Sequence, residues 1–199
     1  MEAPPAQVPH GEHAARVVAL FRSRAHNFVG HHGMEPGVHP MEAVEWLDCV
    51  AGRGVVGDRF FDHRPDYKGQ ITFFESEVHA AIQDTFGVAV EPWVYRRNVI
   101  TRGIPLGEWI GRTFEVQGIL FEGVEECRPC YWMDHAVTAG VEEFMRGRGG
   151  LRARILKDGR LRVGALTGLA SANVGGLCQG GGPAMKQGHS ASGSSVVTS

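Results

Sequence analysis

Short runs rich in β-branched and aromatic side chains recur along the chain between Gly, Pro and Asp punctuation, at Arg16–Arg22, 44–50, 70–74, 98–101, 113–116 and 119–124. Runs of this length and spacing predict the strands of a barrel or sandwich. Further on, 151–156 and 160–163 alternate around Lys157-Asp158-Gly159. Asp-Gly supplies the positive φ angles of a tight turn, so this pair predicts a β-hairpin. Two helical patterns interrupt the strands. Val78, Ala81, Ile82, Thr85 and Phe86 share one face behind a Ser76 cap and ahead of Gly87, and Val137, Val141, Phe144 and Met145 form a second face. The pattern as a whole predicts a mainly β, β-rich α+β fold with a few short helices.

Length and composition narrow this to one domain. A chain of 199 residues can bury one sizeable core and is short for two. The first residues, 1–15, include three prolines before Gly11 and no apolar run, which predicts a flexible segment and excludes a secretory leader. From Ala165 onward there are eight glycines, six serines and one charged side chain, Lys186. Such a segment buries too little apolar surface to offset the entropy of ordering it, so 165–199 is expected to be a mostly disordered tail and 16–164 the folded domain. Twenty basic and 22 acidic residues leave a net charge of −2, which gives no global attraction to nucleic acid or anionic membrane. Four cysteines, at 49, 127, 130 and 178, are too few for a disulfide scaffold, so a reducing cytoplasm is the expected location.

The candidate chemistry begins at Cys127-Arg128-Pro129-Cys130, which closes the 119–124 run. A guanidinium beside a thiol favours the reactive thiolate, and Pro129 holds Arg128 out of the helical region. Half of a zinc site, a thioredoxin-like redox pair and two merely buried thiols are the competing readings. A second pattern is Arg96-Arg97-Asn98-Val99-Ile100-Thr101-Arg102, where arginine forks matched to phosphate alternate with neutral donors; a solvated strand face would look the same. A third is Gly57-Asp58-Arg59, either a tight turn with its own ion pair or an anion contact in which Asp58 orients Arg59. Six histidines lie in the first forty residues, yet Gly30-His31-His32-Gly33 has no carboxylates at ligand spacing and reads as a polar loop, with His26 and Asn27 as candidates for a pocket rim. No phosphate-cradling Gly-Lys-Ser/Thr loop is present, which argues against a nucleotide-driven motor or kinase.

Taken in order, Gly57-Asp58-Arg59, Gln70-Ile71-Thr72-Phe73-Phe74-Glu75, Arg97 to Gly103 with Leu106 and Gly111, Arg128-Pro129-Cys130 and Gly149-Gly150-Leu151-Arg152 resemble the MOSC family, named for the carboxy-terminal domain of molybdenum cofactor sulfurases. The resemblance runs from about Arg16 to Val163. It implies a barrel-like domain that binds molybdenum cofactor, the metal held by a pterin dithiolene, with Cys130 at the family cysteine. That cysteine would ligate molybdenum or carry sulfur as a persulfide. Asp58, Arg59, Arg97, Asn98, Thr101 and Arg102 would bind the cofactor, and Cys127 would be a resolving or structural partner.

The resemblance further implies a molybdenum-dependent oxidoreductase acting on N-hydroxylated compounds, or a sulfurtransferase to metal centres. The other class is a non-catalytic carrier of cofactor or sulfur. Expected partners are a cysteine desulfurase or an electron-transfer protein and a small-molecule substrate, with neither nucleic acid nor membrane. Without the aminotransferase-like domain of the long sulfurases, no pyridoxal phosphate is expected on this chain.

Overall fold

The structure is a computed structural model that describes residues 15–27, 35, 37–166 and, as backbone, 171–173. Its centre is β5 (Ile71–Glu75), in which Ile71, Thr72, Phe73 and Phe74 are all buried. A strand covered on both faces needs a continuous apolar run instead of strict alternation. One neighbour is β6 (Val99–Arg102), which runs parallel to it; the other is β9 (Leu151–Ile155), which is antiparallel. Parallel neighbours need a long crossover, supplied here by α1 (Ser76–Phe86) and a 3-10 turn at Pro92–Tyr95. Beyond β6 lie β1 (Arg16–Arg22), then β11 (Gly164–Ala165), with β2 (Glu42–Ala43) also on β1. Beyond β9 lie β8 (Ile119–Glu126), β7 (Arg112–Val116) and β12 (Ser171–Asn173).

This large sheet curls into a half-barrel. A smaller sheet of β3 (Trp46–Val50), β4 (Gly54–Val55) and β10 (Gly159–Arg162) contributes Leu47, Cys49, Val55 and Leu161 to the same core as Val17, Phe73, Val99, Phe114 and Phe121. The opposite face of β5 and β6 presents Phe74 and Ile100 to a second core with Val78 and Ile82 of α1 and Met133, Val141 and Met145. The chain is therefore β-rich and barrel-like, with few and short helices, as its pattern predicts.

Three local expectations are corrected. The 151–163 hairpin does not form, because both edges of β9 are taken by β5 and β8, which leaves no edge for β10. β10 pairs instead with β3, setting Gly159 opposite Cys49 and Leu161 opposite Leu47. Gly159 is not at positive φ; a Cβ there would lie 2.5 Å from Ile119 Cγ1, so the residue is small because β8 packs against it. The Asp158 carboxylate accepts the Ala51 N–H at 2.7 Å and so anchors the turn to the smaller sheet. The second helical pattern resolves into two short pieces, α2 (Trp132–Ala136) and α3 (Val141–Phe144), with Gly140 at φ 93° between them. Ser76 is the first helical residue of α1 and not its cap; Glu75 holds that position and makes no side-chain capping bond. Gly87 does end α1, at φ 63°. Of the tail, Ser171–Asn173 pairs with β7; the remainder from 167 on lies outside the described residues.

Candidate functional site

A cavity of about 220 Å³ opens on the face of the large sheet that carries Thr72 and Arg152, directly opposed residues of β5 and β9. Its floor is built by the arginine stretch and by the Gly57-Asp58-Arg59 turn, its far wall by the cysteine turn.

Asp58 sits at that turn, 6% exposed, with a carboxylate that is fully engaged. Oδ2 accepts the Ser23 N–H and Asn98 Nδ2, each at 3.1 Å, and Oδ1 accepts the Phe60 N–H at 3.1 Å. Asn98 completes the knot: its Nδ2 also donates to Phe21 O at 3.2 Å, while its Oδ1 accepts the Thr72 N–H at 3.1 Å and hydroxyl at 2.8 Å. These contacts join β1, β5 and β6 beneath the cavity. Buried polar groups satisfied in this way rigidify a core and are costly to break.

The three arginines at the floor differ in how their donors are used. Arg97 is 7% exposed and bonds three carbonyls, of Gly149 at 3.1 Å, Tyr95 at 2.7 Å and Cys127 at 2.8 Å. Arg96, in the left-handed region at φ 58°, bonds His39 O at 2.9 Å, Ser23 Oγ at 3.1 Å and Ala25 O at 3.0 Å. Burial, with the nearby charge of Arg59, pushes Arg96 down to about 10. Arg59 is different. Its side chain is 7% exposed, yet its contacts are long, at 3.5 Å to Asp58, 3.6 Å to Met41 Sδ and 3.3 Å to Arg96 O. Burial first, and Arg97 beside it, lower Arg59 from its ordinary value, while Asp58 opposes the shift. Its one carboxylate partner stands at 3.5 Å and its guanidinium lies 4.9 Å over the Phe60 ring, so a buried cation held this loosely keeps donor capacity for an anionic ligand.

Thr101 and Arg102 complete the stretch. The Thr101 hydroxyl donates to Phe74 O at 3.2 Å, within the sheet, and Arg102 is exposed at the end of β6 opposite Arg16, outside the cavity lining.

The cysteine turn is fixed from both sides. The Cys127 N–H donates to Gly150 O at 2.8 Å, and its C=O accepts Arg97. Gly149 lets the turn approach β9, since a Cβ there would lie 2.5 Å from Cys127 O and 3.0 Å from Pro129 Cδ. Cys127 and Cys130 both line the cavity, Cys127 buried within it and Cys130 exposed at its edge. The guanidinium against the Cys127 sulfur is that of Arg152, held in turn by Glu125, its direct neighbour across the β8–β9 ladder, at 3.2 Å. Arg128 points elsewhere, into an adjoining cavity. Phe60 and Tyr67, with centroids 5.0 Å apart, form an aromatic wall; His26 stands edge-on to Phe60 at 4.8 Å and, with Asn27, lies on the lining as its sequence context suggests. Trp132 and Met133 line the opposite side.

Arg59, Arg97 and Cys130 of the expected site residues thus meet at the cavity, while Asp58 and Asn98 lie beneath it and Thr101 and Arg102 apart from it. Sequence reasoning missed Arg152, Arg96 as a lining residue, and Tyr67. Arg152 had a usable signal: it alternates with buried Leu151 and Ala153, so it must face the other side of the sheet. Cys49 is buried in the β-barrel core, where burial pushes its thiol up to about 12, and is remote from this chemistry. No group of three or more His, Cys, Asp or Glu side chains able to hold a metal occurs among the described residues. Cys178, His31 and His32 lie outside them. No helix of the described residues is long and apolar enough to cross a membrane.

The MOSC domain profile matches residues 53–166. Among solved structures, YuaD from Bacillus subtilis is 18% identical, with a TM-score of 0.59 over 75% of this chain and 92% of that one. YiiM from Geobacillus stearothermophilus is 15% identical, with a TM-score of 0.60 over 81% and 77%, and YiiM from Escherichia coli 16% identical, with 0.55 over 79% and 70%. At these identities the likeness is one of fold. No curated protein matches the chain.

Proposed function

The chain belongs to the MOSC domain family, which is associated with molybdenum cofactor binding in general, and on that footing we propose that its arginine-floored, thiol-lined cavity holds this cofactor. The observation that carries the reading is Arg59, a side chain 7% exposed, bonded only at 3.3 to 3.6 Å and set in the lining of the cavity. The residues fit the group. Arg59 offers a planar fork to the phosphate, Phe60 and Tyr67 offer an aromatic wall to the pterin, and a thiolate is the soft ligand that a metal–sulfur centre takes. When bound, the cofactor would supply two-electron redox chemistry at its metal.

The chain's own residues do the rest. Cys130, exposed at the cavity edge, is the reactive thiol in this reading, as metal ligand or sulfur carrier. Cys127, buried with Arg152 against its sulfur, is the second thiol. Asp58 and Asn98 position the floor from below, and Arg97 fixes the cysteine turn through the Cys127 carbonyl. Reduction of N-hydroxylated compounds is the activity proposed for the loaded protein. Sulfur transfer is the second reading, favoured by the exposure of Cys130, which a cysteine desulfurase could reach directly.

Purification from a cofactor-competent host tests the proposal. The protein should carry molybdenum and pterin in comparable amounts. Zinc at one equivalent with neither of them would contradict it, and cofactor retention without turnover of N-hydroxylated substrates would favour the carrier.

A further inference from the structure

Beside the thiol-lined cavity lies a second one, lined by Lys68, Glu125, Glu126, Arg128 and Arg152. The two share Arg152 as a common wall. The cysteine turn serves both, because Cys127 and Cys130 line the first and Arg128 the second.

Within the second cavity the carboxylates are already engaged. Glu125 accepts Lys68 Nζ through Oε2 at 2.7 Å and Arg152 Nη1 through Oε1 at 3.2 Å, and Glu126 Oε1 accepts the Gly149 N–H at 3.1 Å. Arg128 has neither a hydrogen bond nor an ion pair among the described residues. Three cationic side chains face two carboxylates: Lys68 and Arg152 both bond Glu125, Arg128 acts on Glu125 only from a distance, and the Arg128 fork is hydrogen-bonded to neither carboxylate.

Arg128 is also held in place by its backbone. The residue before it is bonded on both sides, through its N–H to Gly150 and through its C=O to Arg97, and Pro129 confines Arg128 to extended backbone. A donor whose backbone is already fixed loses less freedom on binding than one on a mobile loop. The lining carries three cations and two carboxylates, one holding Lys68 and Arg152 and the other the Gly149 N–H, so its net charge is positive and the donor fork left for a guest favours an anion over a cation.

We propose that this second cavity is an anion subsite that takes a carboxylate or phosphate group on a small molecule whose other end lies in the first cavity, with Arg128 as the principal donor, Lys68 as the flanking charge and Arg152 as the wall across which the molecule reaches. The proposal does not depend on molybdenum being bound in the first cavity.

The test uses the whole cofactor-free chain, titrated at constant ionic strength with inorganic phosphate and, separately, with succinate, and read by amide NMR shifts at residues 125, 126, 128 and 152. Saturable shifts at these positions are expected with at least one of the two. Saturation by phosphate alone assigns a phosphate group, by succinate alone a carboxylate, and by both a site that reads charge. Arg128→Gln should weaken that binding at least about fivefold while leaving the spectrum's dispersion intact, and Lys68→Gln should weaken it less, since an ammonium contributes one charge and no fork. Shifts that stay linear in both anions, or that saturate identically in Arg128→Gln, would overturn the proposal.

Discussion

The arginine stretch and the cysteine turn both stand out in the sequence, and the fold uses them in opposite ways. At 96–101 most polar groups turn inward: Arg96, Arg97, Asn98 and Thr101 all bond main-chain carbonyls, and the Asn98 side chain alone joins β1, β5 and the Asp58 turn. At 127–130 the backbone is what is tied down, and the side chains are delivered to two cavities. Donors satisfied by the protein make scaffold; donors left with long or no bonds make sites. Arg59 and Arg97, neighbours on one floor, fall on opposite sides of that line.

The largest effect that would break this contrast is on stability. Arg97→Ala removes three charge-assisted bonds to carbonyls, each worth about 1.5 to 3 kcal/mol before the relief of desolvating the cation, so unfolding in urea should show a loss of about 3 kcal/mol. Arg97→Lys should restore only part of it, because lysine lacks the fork. An Arg97→Ala protein with the parent's urea midpoint would show that the stretch is not scaffold. This differs from the phosphate role its sequence suggests, since Nε and one N–H of each Nη, three of its five donors, are already taken by carbonyls.

Next in size is the reciprocal case. Arg59→Ala should cost less than about 1 kcal/mol of stability, because Asp58 keeps three other donors, yet weaken cofactor binding at least about tenfold, equivalent to about 1.4 kcal/mol.

The thiols sharpen the comparison within the turn itself. In the cofactor-free protein, iodoacetamide should modify Cys130 well before Cys127, whose sulfur is buried against Arg152. Cys130→Ser should abolish metal retention or persulfide formation, and Cys127→Ser should leave most of it. Equal loss in both variants would make the pair a joint site.

The smallest expected effect lies behind the floor, where His79 Nδ1 meets the Tyr95 hydroxyl at 3.0 Å. Burial lowers the His79 pKa from 6.5, so the unfolded chain binds more protons than the folded one as pH falls below 6.5. Stability should therefore decline slightly from pH 7 toward pH 5.5, and His79→Gln should remove that part of the slope. A urea midpoint whose pH dependence is unchanged in His79→Gln would show that His79 does not contribute.

Much of this arrangement is legible in the sequence wherever neighbours along the chain decide it. The strand β1 and the helix α1 with its Gly87 stop follow from local pattern, as does the meeting of Gly57-Asp58-Arg59, the arginines and the cysteine turn at one place once the family resemblance is seen. What escapes is set by distant pairing. The Asp-Gly turn at 158–159 looks like a hairpin only until β9 is known to have both edges filled. Arg152 reaches Cys127 because β8 and β9 are adjacent, and Arg128, next to that thiol in sequence, is turned to the other cavity by the same pairing. Periodicity shows which face of a strand a side chain takes, but not which carbonyls wait there to consume an arginine's donors.

In the proposed function Arg59, a buried cation held only by long contacts, is the residue that receives the ligand. The most direct measurement is the molybdenum-to-protein ratio of Arg59→Ala, purified from a cofactor-competent host beside the parent and shown by its amide NMR dispersion to be folded. A ratio at or below about one tenth of the parent's is predicted, in line with a lost charge-assisted contact; a ratio equal to the parent's would contradict the placement of the cofactor in this cavity.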